Sequence, residues 1–125
     1  IDLNKAPDIA QTIAVTCYGL GITCELLGLH TLKIKETDRL EALHSELTKL
    51  GANISVTPTS LYLKSSSEIV ADVSIETYND HRMAMAFAPL GMKIPLEILD
   101  ADVVTKSYRN FWKDLQKIGF QLNKV

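Results

Sequence analysis

The sequence predicts an α/β fold that contains two copies of one unit, and two observations lead to this prediction. Segments with apolar residues at helical spacing alternate along the chain with short segments rich in strand-forming residues. Short stretches also repeat: residues 47–54 resemble 115–122 at an offset of 68, and residues 24–27 resemble 96–99 at an offset of 72. The repeat predicts helices and strands at equivalent places in both halves.

Periodicity and turn residues predict each element in order. Apolar residues at helical spacing predict a helix over 8–20, where Asp8 is placed to cap the start. The leucines at 40, 43, 47 and 50 predict a second helix that opens within 35–39 and ends at Gly51. The other predicted elements are strands over 22–27, 73–76, 96–99 and 120–122, a hairpin of 53–57 with 61–63, a surface loop at 65–67, and helices over 80–90 and 107–118.

Composition and charge exclude several classes of protein. The 125 residues are 46% hydrophobic and 22% charged, which is typical of a globular chain that needs no disulfide or metal. The formal net charge of -2 gives no overall positive field that would attract nucleic acid. No apolar run reaches the roughly 18 residues that span a bilayer, so we expect a soluble protein. Cys17 and Cys24 lack metal-site spacing and are predicted to be core thiols from a reducing compartment.

Charged residues recur at equivalent places in the two halves and predict an anion site. In each half an aspartate, Asp8 or Asp80, starts a helix, and a lysine follows the next strand. Helix N-termini carry amide donors and a positive dipole end, so anions are expected at the edge where these residues meet. The candidate cations are Lys35, Arg39, Arg82 and Lys106, and the candidate proton carriers are Asp8 and Glu36.

Most of these residues also have a purely structural interpretation. Asp8 is a favoured type of helix cap, residues 35–39 could be a solvated charged turn, and Lys106 could be an ordinary surface lysine. His81 and Arg82 fit less easily, because cations in the first turn of a helix oppose its dipole unless an anion lies nearby. Core packing is the interpretation for residues 83–88, Phe111 and Trp112.

Four segments, taken in order, resemble a known family. They are Pro7-Asp8-Ile9-Ala10, Lys35-Glu36-Thr37-Asp38-Arg39, Tyr78-Asn79-Asp80-His81-Arg82-Met83-Ala84-Met85 and Thr105-Lys106-Ser107-Tyr108. In this order and spacing they resemble the C-terminal part of the 3-phosphoshikimate 1-carboxyvinyltransferases (EPSP synthases). The resemblance covers nearly the whole chain, and the second and third segments are its most specific parts.

The resemblance implies a fold and a reaction. Members of the family have two domains of three βαβαββ units each, with the active site in the cleft between the domains. Residues 1–125 would form part of one domain as about two units, near 1–68 and 69–125, with the opposite domain absent. The implied enzyme is a cytoplasmic monomer of aromatic amino-acid biosynthesis that uses no metal or organic cofactor. It would transfer the enolpyruvyl group of phosphoenolpyruvate to the 5-hydroxyl of shikimate 3-phosphate and release phosphate.

The resemblance also implies roles for individual residues. Asp8 would bind the shikimate hydroxyls and act as the base for the attacking one. Glu36 would transfer a proton at the methylene carbon of phosphoenolpyruvate. Lys35 would contact shikimate 3-phosphate, and His81 would support its neighbours. The cations that would hold the carboxylate and phosphate of phosphoenolpyruvate are Arg39, Arg82 and Lys106.

The chain also departs from the family pattern. Thr31 and Lys33 stand where many members have Asn and Arg, so a supporting substrate contact at Thr31 would differ. The chain begins with Ile1 rather than Met, which predicts a piece of a longer polypeptide, and we expect this piece to be inactive without the opposite domain. Two alternatives stay open: the related UDP-N-acetylglucosamine enolpyruvyl transferases, and a non-catalytic α/β interaction module whose cations form a surface patch.

Overall fold

Two small β-sheets and four α-helices make up the part of the chain that the computed structural model describes, residues 1–66 and 68–123. Short 3-10 helices connect several of these elements. The α-helices and strands are α1 (Ala10–Leu20), β1 (Cys24–Leu26), α2 (Arg39–Lys49), β2 (Asn53–Val56), β3 (Leu61–Lys64), β4 (Val73–Ile75), α3 (His81–Phe87), β5 (Leu96–Ile98) and α4 (Phe111–Lys117). The 3-10 helices are Pro7–Ile9, His30–Ile34, Ala88–Met92 and Ala101–Val104.

The two sheets differ in strand direction. In the first sheet β3 lies between β1 and β2 and is antiparallel to both, so the predicted hairpin is confirmed. Its turn is closed by the Thr57 amide, which donates to the Ser60 carbonyl at 3.0 Å. In the second sheet β4 and β5 are parallel, and α3 connects them. Parallel neighbours require such a crossover, and this arrangement confirms the predicted α/β class.

Both halves of the chain show the same order of elements around their first helix. Asp2 and Leu27, on either side of α1, form an isolated parallel bridge, just as β4 and β5 do on either side of α3. In each half a 3-10 helix and a second α-helix follow, namely α2 and α4. This order agrees with the sequence repeat, although the number of complete units stays a prediction.

The larger of the two apolar clusters in the described residues contains side chains of both halves. The periodic leucines of α2 and the inward residues of β3 are fully buried in it, and α1 packs against α3. The contact is close at the end of α1, since a Cβ added to Gly19 would lie 2.9 Å from Leu90 Cδ2. The predicted core residues are confirmed: within 83–88 only Met85 is not fully buried, Phe111 is buried, and Trp112 packs beside it.

Two helices begin later than predicted, and α2 begins at the last residue of its predicted opening segment. Asp8 lies in the 3-10 helix that precedes α1, and its side chain makes no capping hydrogen bond there. α2 begins at Arg39, because Asp38 caps it by accepting a hydrogen bond from the Glu41 amide at 3.2 Å. Lys35 and Glu36 therefore precede the helix. The fourth helix begins at Phe111 rather than 107, because a 3-10 helix and a turn occupy the preceding residues.

Several other predicted boundaries also moved inward. α3 ends at Phe87 and continues as a 3-10 helix, since Pro89 has no N–H to donate to a helical hydrogen bond. No strand forms at 120–122 within the described residues. The Phe120 amide instead donates to the Leu115 carbonyl at 3.1 Å and closes the end of α4. The predicted loop at 65–67 has an exposed Ser65, while Ser67 lies outside the described residues.

The two cysteines are free thiols, as predicted. Cys24 is buried on β1, and Cys17 is half-buried against the same core. Burial, with a smaller contribution from the neighbouring Cys17, raises the pKa of Cys24 to about 12. Separately, no helix in residues 1–66 or 68–123 has the length and apolar character needed to cross a membrane.

Candidate functional site

Arg39 stands at the centre of a buried charged site. It is the first residue of α2, and its side chain is only 2% exposed. Burying a guanidinium is costly unless carboxylates pair with it and accept its hydrogen bonds. Arg39 makes four such hydrogen bonds, two to Asp80, one to Asp8 and one to Glu36. The site therefore draws its residues from segments that lie far apart in the sequence.

Asp80 is the deepest partner of Arg39 and is completely buried. Its Oδ2 accepts from Arg39 Nε at 2.7 Å and its Oδ1 accepts from Nη2 at 3.2 Å, a bidentate pairing that fixes the plane of the guanidinium. Oδ1 also accepts from the Arg82 amide at 3.0 Å and so caps α3. Sequence reasoning placed Asp80 at a helix start but did not include it among the site residues.

The conflict predicted at the start of α3 is resolved by the same carboxylate. Arg82 puts a cationic side chain where the helix dipole disfavours it, and the capping carboxylate of Asp80 places an anion at the same end of the helix. His81 Nδ1 lies 3.9 Å from Asp80 Oδ1. The Arg82 guanidinium donates from Nη1 to the backbone carbonyl of Asp8 at 3.3 Å, which ties α3 to the 3-10 helix before α1.

Asp8 and Glu36 form the solvent-facing side of the site. Their side chains are 41% and 47% exposed, and both accept hydrogen bonds from Arg39. Lys35 Nζ lies 3.4 Å from Asp8 Oδ1 and is itself partly exposed. Asp8 therefore acts as an ion-pair partner rather than as the helix cap that its sequence position suggested. Exposed carboxylates beside fixed cations are well placed to exchange protons with a bound molecule.

Two other predicted residues, Thr31 and Lys106, are not joined to this group. The Thr31 hydroxyl is buried in the 3-10 helix His30–Ile34 without a hydrogen-bond partner among the described residues. Lys33 and Lys106 are exposed, and no ion pair in the described part of the chain connects Lys106 to Arg39 or its partners. We call the residues that are joined the Arg39 cluster: Asp8, Lys35, Glu36, Arg39, Asp80 and Arg82.

The Arg39 cluster balances three cations against three carboxylates. Carboxylates occupy four of the five N–H donors of Arg39, so its positive charge is already neutralised by the protein. The side chains of Lys35 and Arg82 are only partly buried and are available to an incoming anion. The arrangement thus places two accessible cations beside two exposed carboxylates, a combination suited to binding an anion and moving a proton.

Tyr78 and Glu46 adjoin the cluster and were also missed by the sequence analysis. The Tyr78 hydroxyl donates to Glu46 Oε2 at 2.5 Å. Burial, followed by the hydrogen bond to Glu46, raises the pKa of Tyr78 to about 12. A buried glutamate on the inner face of a helix could have been suspected from the apolar periodicity around position 46, but its partner in a distant turn could not.

The sequence of the chain matches one family over most of its length. Residues 1–115 match the family described as EPSP synthase (3-phosphoshikimate 1-carboxyvinyltransferase). The chain is 44% identical over 122 residues to 3-phosphoshikimate 1-carboxyvinyltransferase of Bacteroides fragilis, covering 95% of this chain and 30% of that protein. It is 38% identical to the protein of the same name from Syntrophobacter fumaroxidans, covering 94% of this chain and 28% of the relative.

A solved structure has the same fold. The EPSP synthase of Acinetobacter baumannii superposes with a TM-score of 0.81 at 22% identity, covering 93% of this chain and 28% of that chain. The chain thus spans under a third of the length of the proteins it matches. The match over residues 1–115 includes every member of the Arg39 cluster. The chain belongs to the EPSP synthase (3-phosphoshikimate 1-carboxyvinyltransferase) family.

Proposed function

We propose that the protein containing this chain transfers the enolpyruvyl group of phosphoenolpyruvate to the 5-hydroxyl of shikimate 3-phosphate and releases inorganic phosphate. The Arg39 cluster carries this proposal. Its members come from residues 8, 35–39 and 80–82, yet direct contacts join them in one charged site. Two relatives with similar sequences across nearly the whole chain are named 3-phosphoshikimate 1-carboxyvinyltransferase.

The cations of the cluster would bind the substrates by their charge. Phosphoenolpyruvate carries a carboxylate and a phosphate, and arginine suits such groups because its donors form a planar fork. Arg82 and Lys35 are accessible, so they would meet a ligand directly, Lys35 at shikimate 3-phosphate and Arg82 at phosphoenolpyruvate. Arg39 would reach phosphoenolpyruvate with its remaining Nη1 donor or after Glu36 moves aside. Lys106, which is exposed, would complete the set.

The carboxylates of the cluster would carry the protons of the reaction. As the 5-hydroxyl oxygen bonds to C2 of phosphoenolpyruvate, its proton would pass to Asp8, and the methylene carbon would take a proton from Glu36. The tetrahedral intermediate would then lose phosphate, which takes up the proton held by Asp8, and a proton from the new methyl group would return to Glu36 as the double bond is restored. Both carboxylates are exposed and contact Arg39, so they are positioned for such transfers. Supporting roles are proposed for His81 and Thr31.

The chain would form only part of the enzyme. We assign residues 1–125 to one domain of the family fold, with repeat units near 1–68 and 69–125, and expect the remaining polypeptide to supply the opposite face of the site. The chain by itself is then inactive, and the intact enzyme is proposed to be a cytoplasmic monomer. The element order shared by the two halves supports the proposed units.

A chimera tests the proposed reaction. This chain would replace the matching segment of the Bacteroides fragilis relative, to which it is 44% identical. Phosphate release would be followed with phosphoenolpyruvate and either shikimate 3-phosphate or UDP-N-acetylglucosamine. We expect turnover when the acceptor is shikimate 3-phosphate and none when it is UDP-N-acetylglucosamine. Glu36→Gln should lower the turnover rate by about 10²- to 10⁴-fold, the usual contribution of a general acid or base.

The matched control is Glu41→Gln, which changes an exposed glutamate in the first turn of α2 whose Oε1 lies 3.6 Å from His44 Nδ1. It should leave turnover unchanged. A folded chimera that releases no phosphate, or that loses nothing in Glu36→Gln, would contradict the proposal and favour a non-catalytic module. Turnover with UDP-N-acetylglucosamine instead would assign the chain to the other enolpyruvyl transferase reaction.

A further inference from the structure

A tight turn of unusual conformation delivers Asp80 to Arg39. The Asp80 amide donates to the Thr77 carbonyl at 2.8 Å, and the two central residues, Tyr78 and Asn79, both have φ of 55°. Positive φ at both central positions is the mark of a type I′ turn, which Gly, Asn and Asp favour. Tyr is disfavoured there, so surrounding contacts must hold this conformation.

Glu46 supplies those contacts from the facing helix. Its carboxylate is 1% exposed. Oε2 accepts from the Tyr78 hydroxyl at 2.5 Å, and Oε1 accepts from the Glu76 amide at 2.9 Å. Lys49 Nζ donates to the same Oε1 at 2.6 Å and neutralises its charge. Glu46 therefore holds the residues on both sides of Thr77, at the start of the turn.

A further hydrogen bond fixes Thr77, the first residue of the same turn. Thr77 is fully buried, and its hydroxyl donates to the Leu99 carbonyl at 3.0 Å, at the end of β5. Arg39 and Glu46 are seven residues apart on α2, about two helical turns, so both project from one face of that helix. The segment 76–80 is thus held by Glu46 at its start and by Arg39 at its end.

We propose that Glu46 and Tyr78 are positioning residues, which hold Asp80 so that it fixes the guanidinium of Arg39 for substrate binding. The reference to substrate rests on the proposed function, whereas the effect on Arg39 does not. Without the Tyr78 hydroxyl bond, the disfavoured turn relaxes and Asp80 moves relative to Nε. Arg39 would then share its donors unevenly among Asp80, Asp8 and Glu36.

Hydrogen exchange at the Arg39 Nε–H, observed by ¹⁵N NMR in this chain, tests the positioning directly. The proton lies in the 2.7 Å hydrogen bond to Asp80, so it should exchange slowly in the wild type. We expect Tyr78→Phe, which keeps the ring but removes the hydroxyl, to speed this exchange by about tenfold or more. A tenfold change corresponds to about 1.4 kcal/mol, which is about the contribution of one hydrogen bond to a charged group. Glu46→Ala should act likewise, and Glu46→Gln, which keeps an acceptor oxygen, should do less.

Two tyrosines serve as matched controls. Tyr18→Phe removes a buried hydroxyl that donates to the Leu50 carbonyl at 2.7 Å, away from the turn, and reports a general loss of stability. Tyr108→Phe removes a tyrosine-to-carboxylate bond of 2.6 Å to Asp114 on the surface. The two variants are compared under conditions that give them the same free energy of unfolding. If Tyr78→Phe then speeds exchange at Arg39 Nε–H no more than Tyr18→Phe does, the positioning role is wrong.

A titration with phosphoenolpyruvate separates this proposal from the function on which it rests. If the wild-type chain binds the ligand, Tyr78→Phe should weaken binding about tenfold and Tyr108→Phe should not change it. Unchanged affinity in Tyr78→Phe would refute the link to substrate binding. If the wild-type chain binds no ligand, the binding role assigned to the cluster is in question, and the exchange experiment still decides whether Glu46 and Tyr78 position Arg39.

Discussion

The positively charged side chain of Arg39 is buried, and Asp80 accepts two of its four hydrogen bonds. Removing one partner of a buried ion pair leaves the other charge without compensation, which typically costs about 3–5 kcal/mol. We therefore expect Asp80→Ala to lower the free energy of unfolding by about that amount, as measured by urea denaturation. The variant also removes the cap of α3, which adds to the loss.

Asp72→Asn is the control for this change. Asp72 is exposed and has φ of 60°, a conformation that Asn accepts as readily as Asp. Its free energy of unfolding should stay within about 0.5 kcal/mol of the wild type, as for most surface substitutions. A loss below about 1 kcal/mol in Asp80→Ala would show that Arg39 finds water or another carboxylate when Asp80 is gone.

Cys24 should make the free energy of unfolding depend on pH in the alkaline range. Burial raises the pKa of this thiol from 9.0 to about 12, so the unfolded chain loses the proton first. From about pH 8 upward the folded state binds more protons than the unfolded state, so the free energy of unfolding falls as the pH rises toward 12. Cys24→Val should flatten this fall between about pH 8 and 9, where a thiol of ordinary pKa 9.0 titrates well before a tyrosine of ordinary pKa 10.0. An unchanged slope in chemical denaturation over that window would contradict the assignment to Cys24.

Individual site residues were predictable only where the sequence carried a motif. Asp8, Glu36 and Arg39 stand in segments that resemble the family, and the structure brings them into contact. Asp80 lay in such a segment too, but its importance comes from complete burial beside Arg39, which depends on how α2 and α3 pack. Glu46 and Tyr78 meet across 32 residues, and no local pattern records that contact.

At the scale of elements, periodicity predicted which segments are helices and strands but not where they end. The leucines of α2 give a clear helical pattern because one face of the helix is buried. Its start is set by Asp38, whose capping bond excludes Lys35 and Glu36 from the helix. Those two residues gain their place in the Arg39 cluster from that exclusion, because they precede the helix in an irregular segment.

Gly28 follows β1, lies against the backbone of Asn4 and should tolerate no side chain. It has φ of 75°, and an added Cβ would lie 2.6 Å from the Asn4 backbone nitrogen. Gly119 also has positive φ, at 111°, but a Cβ there would meet nothing within 4 Å. Both alanine variants bear the cost of positive φ, whereas Gly28→Ala also bears a clash with the backbone. We expect Gly28→Ala to lose about 1–3 kcal/mol more, as measured by thermal denaturation. Equal losses would show that the chain near Asn4 shifts freely.

At the scale of the whole molecule, the α/β connections explain how the site forms. Its residues come from the 3-10 helix before α1 and from the starts of α2 and α3. Contacts between α1 and α3, and between α1 and α2, bring these three starts together. Asp8, Lys35 and Arg82 therefore meet at one edge, as the sequence predicted. In the described part of the chain Lys106 makes no ion pair with them.

The charge balance of the Arg39 cluster leads to effects of opposite sign on binding and on catalysis. Glu36 competes with any incoming anion for Arg39 Nη2, and it is 47% exposed, so its pair with Arg39 should be worth about 0.5–1 kcal/mol. Glu36→Gln should therefore tighten phosphoenolpyruvate binding to this chain by about two- to fivefold, while it lowers turnover of the chimera. Calorimetric titration of the chain measures the first effect, with Glu41→Gln as the control that should change neither. If Glu36→Gln weakens binding instead, Glu36 contacts the ligand favourably and does not compete with it for Arg39.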